Sequence, residues 1–169
     1  MALSSTQIGT IGENLLVNAV MKASAGALSP FQPYADDDGI DLLFFHKPTG
    51  GAVAVQLKSR TVTLYRPGSS QRGNLVHFGV RQATCNLMRC TVLVTALLDC
   101  DLTRLEAIWL YPIEVVPAIA RHTKTDFVIR ANKAPGSQDK FSKFRCQSVE
   151  DLAQRLIRLC SVQVGVPVD

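Results

Sequence analysis

The stretch Asp36-Asp37-Asp38-Gly39-Ile40-Asp41, taken with Val53-Ala54-Val55-Gln56-Leu57-Lys58 beyond an apolar run and a glycine turn, decides how the chain is read. Ile40–His46 and Gly51–Arg60 are predicted as two strands joined by Lys47-Pro48-Thr49-Gly50-Gly51. A short glycine-containing turn of this kind closes an antiparallel hairpin. Side chains alternate along a strand, so Val53, Val55 and Leu57 point one way and Gln56 and Lys58 the other. Gln56 and Lys58 then lie roughly 7 Å apart on one face. Asp41 falls at the end of its strand remote from the turn, beside the matching end of the partner. A carboxylate, an amide and an ammonium meet there without any distant folding event.

Working outward, residues 6–23 read as a helix that Ser4, Ser5 or Thr6 can cap. It is apolar over more than half its girth, and Glu13 falls in that half beside Leu16, Val17 and Val20. Two readings of Glu13 stand equal: a carboxylate turned toward a site, or an acid favoured by the helix dipole. Residues 25–33 carry two prolines and read as a loop or short strand. Residues 66–74 form a polar, basic loop with Arg66 and Arg72, and Arg60 precedes it. Such a loop grips a nucleic-acid backbone or is a solvated connection, the latter slightly favoured.

Leu75–Val80 is a predicted short strand and Gln82–Arg89 a predicted helix packing through Ala83, Leu87 and Met88. Thr91–Leu98 is a continuous β-branched and apolar run, as expected of a central strand covered on both faces. Glu106–Tyr111 reads as its neighbour, residues 113–120 as a short helix and Asp126–Arg130 as a strand. Ser148 caps a closing helix, Val149–Cys160, with Asp151 three residues on. The order predicts an α/β protein in which a mixed central sheet is flanked by helices.

The chain has 169 residues, most simply one domain over 1–169, with 47% hydrophobic and 19% charged residues. That composition is globular and excludes a disordered chain. A net charge of +4 permits a nucleic-acid partner without demanding one. The five cysteines show no Cys-x-x-Cys spacing and the three histidines no metal motif, which speaks against zinc and for a reduced, intracellular, cytoplasmic protein. No signal peptide and no membrane span are indicated.

Mg²⁺ prefers oxygen ligands and keeps several waters. Asp41 offers a carboxylate, Gln56 a side-chain carbonyl and Leu57 a backbone carbonyl. Lys58 can orient or help deprotonate an attacking water, or neutralise a scissile phosphate. Glu13, if its helix packs against this sheet edge, can hold a metal-bound water or a second ion. These are parts for metal-assisted phosphodiester hydrolysis. The pattern Gly12-Glu13, Gly39-Ile40-Asp41 and Gln56-Leu57-Lys58 resembles the PD-(D/E)XK nuclease superfamily, in its Mrr-like and resolvase-like branch. The resemblance implies a restriction-endonuclease-like αβββαβ core and a Mg²⁺-dependent endonuclease (Mn²⁺ as substitute) cutting DNA, with a homodimer expected. It implies that Glu13, Asp41, Gln56 and Lys58 are catalytic and that Glu13, Asp41, Gln56 and the Leu57 carbonyl hold metal. Arg60, Arg66 and Arg72 are the expected nucleic-acid contacts. Gln56 stands where the family usually has a carboxylate, so the alternative is a weak or inactive nuclease-fold module that binds nucleic acid or assembles with a partner.

Overall fold

The computed structural model describes residues 3–34, 39–64, 73–85 and 92–163. In chain order the elements begin with α1 (Ser5–Ala23), β1 (Leu28–Phe31), β2 (Leu42–His46), β3 (Ala52–Arg60) and β4 (Leu75–Arg81). A 3-10 turn at Gln82–Thr84 precedes β5 (Val92–Leu98) and β6 (Leu105–Pro112), and a second at Ile113–Val115 leads into α2 (Val116–Ile119). Then come β7 (Arg121–His122), β8 (Asp126–Asn132), a 3-10 turn at Ser142–Phe144, β9 (Arg145–Cys146) and α3 (Val149–Gln163).

Six strands form a central sheet in the order β1-β2-β3-β5-β6-β9, and three form a second sheet in the order β4-β8-β7. In the central sheet β3 and β5 run parallel, while the other neighbours are antiparallel. The expected mixed α/β sheet with flanking helices is the observed architecture. Its helices, α1 and α3, cover one face. Leu16 and Val20 of α1 and Leu152 and Leu156 of α3 pack there on Val53, Val55 and Leu57 of β3 and Val92, Val94 and Ala96 of β5. Cys146 and Cys160 belong to the same core, where burial pushes their thiols up to about 12 and about 11.

The other face is covered differently from the expectation. No eight-residue helix starts at Gln82: a single 3-10 turn forms over Gln82–Thr84, and Cys85 leaves helical geometry at ψ 69°; residues 86–91 lie outside the described residues. The second sheet does the covering. Val76, Phe78 and Val80 of β4 and Phe127, Ile129 and Ala131 of β8 alternate inward against Leu93, Leu97, Trp109 and Tyr111. All seven residues of β5 are buried because it lies between both cores.

Two local devices set the position of α1. Ser4 caps it: the Ser4 hydroxyl accepts from the Gln7 amide (3.2 Å) and the Gln7 side-chain carbonyl accepts from the Ser4 amide (2.8 Å). Near the middle of the helix, Gly12 sits on the end of β3. A Cβ at residue 12 would stand 2.6 Å from Ser59 Oγ and 2.7 Å from Ser59 Cβ. Contacts that close are forbidden, so the helix reaches this strand because residue 12 has no side chain. We expect Gly12→Ala to lower unfolding stability by about 1–3 kcal/mol in urea titrations, and Gly12→Ala/Ser59→Gly to recover most of the loss.

Candidate active site

β3 is longer than β2, and the difference builds the site. β2 pairs with β3 from Phe45↔Ala52 to Leu42↔Val55. Residues 56–60 of β3 continue beside β5 alone, with pairing through Arg60↔Leu97. The chain before β2 takes over at this free edge. The Asp41 amide donates to the Val55 carbonyl (3.0 Å), and the Leu57 amide donates to Asp41 Oδ2 at 2.5 Å. The carboxylate thus replaces the next backbone acceptor that β2 would have offered. Amide and carbonyl of one strand residue point to the same edge, so the Leu57 carbonyl faces the side on which Asp41 stands.

Gly39 makes the approach to Asp41 possible. Its φ is +72°, and a Cβ there would lie 2.6 Å from the Thr84 carbonyl oxygen and 3.0 Å from Gln56 Nε2. A left-handed, side-chain-free residue therefore packs flat over the Gln56 amide. Asp36, Asp37 and Asp38 lie outside the described residues.

Glu13, Asp41, Leu57 and Lys58 all line one open cleft of about 880 Å³. Thr6 and Thr10 of α1 form one wall, and Arg60, Gly79, Arg81 and Thr84 form the other. Glu13 and Asp41 also line a smaller hollow of about 310 Å³ bounded by Gln32 and Pro33, so the two acids divide one space from the next. Gln56 is placed otherwise. It shares the Lys58 face of β3, as alternation requires, yet it is fully buried and behind the cleft wall. Gln56 Nε2 donates to Thr84 Oγ1 (3.0 Å), and Thr84 Oγ1 donates to the Arg81 carbonyl (3.1 Å). Gln56 Oε1 has no hydrogen-bond partner among the described residues. An orphaned buried amide oxygen costs about 1–3 kcal/mol, and a cation or a water would satisfy it.

Of the expected nucleic-acid contacts, Arg60 is exposed on the cleft wall and its Nε donates to the His77 carbonyl (3.3 Å). Arg66 and Arg72 lie outside the described residues. Arg81 and Thr84 were not anticipated. For Arg81 the signal is the alternation Val76-His77-Phe78-Gly79-Val80-Arg81, which turns residues 77, 79 and 81 away from the core, whereas Thr84, beyond the strand, has none. Gln82 donates to the Thr123 carbonyl (3.0 Å) and lines a neighbouring groove instead of the cleft. The wall is electropositive: burial first, then the charges of Arg130 and Arg60, hold His77 below the usual histidine range.

The donor chemistry fits a hard cation. Among the described residues no three His, Cys, Asp or Glu side chains are grouped to hold a metal by themselves. One or two carboxylates and a backbone carbonyl line the cleft, and the orphaned Gln56 oxygen lies behind its wall, a donor set that suits an oxygen-loving ion that keeps part of its water.

The fold is shared with a protein of known structure that is an endonuclease. Among solved structures, the bacterial homing endonuclease I-Ssp6803I matches it with a TM-score of 0.62 at 17% identity, over 97% of this chain and 99% of that one. No family model and no curated protein matches the sequence. No described helix is long and apolar enough to cross a membrane.

The Asp41–Leu57 bond yields a direct expectation. Asp41→Ala leaves a part-buried amide without its acceptor and should cost about 1–3 kcal/mol in chemical denaturation, whereas Asp41→Asn keeps an oxygen in place and should cost less.

Proposed function

We propose that the chain is a metal-dependent endonuclease that hydrolyses DNA phosphodiester bonds. The observation that carries this reading is the convergence of Glu13, Asp41, the Leu57 backbone and Lys58 on one cleft, in a fold shared with a homing endonuclease. Asp41 and the Leu57 carbonyl would hold Mg²⁺, with Mn²⁺ as substitute, and Glu13 and Gln56 Oε1 would complete the oxygen set directly or through water. When bound, the ion supplies Lewis-acid polarisation of the phosphate and a water of lowered pKa.

The chain's own groups do the positioning. Lys58 extends from a strand buttressed by β5 on its far edge, so its ammonium is aimed by a rigid element. There it orients the attacking water and offsets charge developing on the phosphate oxygens. Asp41 is fixed by its bond to the Leu57 amide, so its carboxylate enters the site in one orientation. Gln56 makes the set one negative charge weaker than a carboxylate would. Its burial behind Thr84 is the observation that favours the second reading, a nuclease-fold module that binds nucleic acid or a partner without cutting. A twofold dimer, matching the symmetry of a duplex, belongs to the first reading.

The test is a cleavage assay on duplex, single-stranded and branched DNA with Mg²⁺ or Mn²⁺. We expect cutting by the native chain, and a loss of about 10²–10⁴-fold for Lys58→Ala with an unchanged fold by circular dichroism. Gln56→Glu should reach half-maximal cutting at lower Mg²⁺. Absence of cutting on all three substrates would leave the binding module as the function.

A further inference from the structure

The second sheet has an inner face that the core uses and an outer face that the core leaves free. The cross-strand register assigns that outer face. Gly79 of β4 stands opposite Val128 of β8, His77 opposite Arg130, and Arg81 opposite Asp126. Arg121 of β7 stands on the other side of Val128. Residues directly opposite one another share a face. Arg81, Arg121 and Arg130 therefore project from the same side, and all three are exposed. Asp126 is the acid among them, and its Oδ2 accepts from the Thr125 hydroxyl at 2.6 Å.

Three further observations give this face a direction and a use. The active cleft runs onto it, since Gly79, Arg81 and Asp126 are lining residues of the cleft. Arg81 and Asp126 also line a groove of about 750 Å³ that continues toward Lys124, so the two spaces meet. Gly79 then stands at the middle of a seven-residue strand, where glycine weakens a sheet. Packing does not demand it, because a Cβ there would meet nothing within 4 Å. A glycine kept in a strand beside open space leaves the backbone bare for something that comes close.

We propose that the outer face of the β4-β8-β7 sheet, with Arg60 at its border, is the surface on which the phosphate backbones of duplex DNA rest while one strand enters the cleft. The proposal rests on the nuclease reading and adds to it the surface that holds the substrate. Positive charge here is spread in two dimensions. Three strands give a width of about 10 Å, and Arg130 lies four residues along β8 from the position opposite Arg81, about 13 Å. A single strand needs a line of charge; two backbones flanking a groove about 12 Å wide need an area. The contacts are guanidinium to phosphate, which fix register and orientation and release counterions, and carry no base sequence. Gly79 is where the duplex comes nearest the sheet.

The test uses the full chain carrying Lys58→Ala, so that a labelled duplex of random sequence stays intact, and measures affinity by anisotropy as salt is varied. Adding Arg81→Ala and Arg130→Ala should weaken binding on the order of tenfold to a hundredfold and lower the salt slope by about 2, since each phosphate contact contributes about 0.9. Arg81→Lys with Arg130→Lys should restore the slope. Gly79→Val should weaken binding while the melting temperature stays or rises, because valine favours a strand and has room. Unchanged affinity and slope in both the arginine and the glycine variants, in a chain that binds and cuts DNA, would overturn the docking surface and leave the nuclease reading intact. A slope change confined to a single-stranded probe would overturn it as well. A native chain that neither binds nor cuts DNA would remove the nuclease reading itself, and this surface with it.

Discussion

The bond from the Leu57 amide to Asp41 Oδ2 is the constraint on which the site depends. A strand edge left without a neighbour exposes donors and acceptors that must find partners. Here β3 outruns β2, and a side chain takes the place of the missing backbone. One hydrogen bond thereby satisfies an amide, ends the β2–β3 ladder and fixes the direction of a carboxylate. Every other group of the cleft is placed relative to that point. α1 is brought up by the Gly12–Ser59 contact and delivers Glu13; β5 backs Lys58 from the opposite edge.

The layers divide the work. The helix side of the central sheet is an apolar core, filled from α1, α3 and the inward residues of β1, β2, β3, β5 and β6. The other side is a second apolar core roofed by a sheet with a basic exterior. The cleft opens at the seam between α1 and that roof. Glu13 and Asp41 enter this seam from α1 and the start of β2, while Arg60 and Arg81 enter it from the strands β3 and β4.

The hairpin was legible because its signals are local: period-two alternation, a glycine turn and an acid at the matching end. The capped start of α1, narrowed by the sequence to Ser4, Ser5 or Thr6, and the fully buried β5 run were legible for the same reason. The second sheet was not. β4 and β8 are separated in sequence by β5 and β6, so nothing near Arg81 announces that Asp126 will stand opposite it. Gln56 illustrates a subtler limit. Alternation placed it on the Lys58 face, correctly, but burial on that face varies along the strand. Gly39 and Thr84 cover residue 56 and leave residue 58 in the cleft, and that closure belongs to tertiary packing. The helix expected from Gln82 stops after one 3-10 turn, where Cys85 turns out of helical geometry at ψ 69°, a backbone choice that no local residue pattern announces.

The pairing of β3 with β5 is parallel, whereas β1, β2 and β3 form a meander of antiparallel neighbours. That difference orders the assembly in time. A meander closes through short loops within microseconds, while a parallel pair waits for a long segment to come round. The acid-bearing edge of the site is therefore built from early, local contacts, and the support behind Lys58 arrives with the slow, non-local step. As the chain emerges from synthesis, both strands of the hairpin are made before the strand that backs them, so the two halves of the site draw on segments that become available at different times.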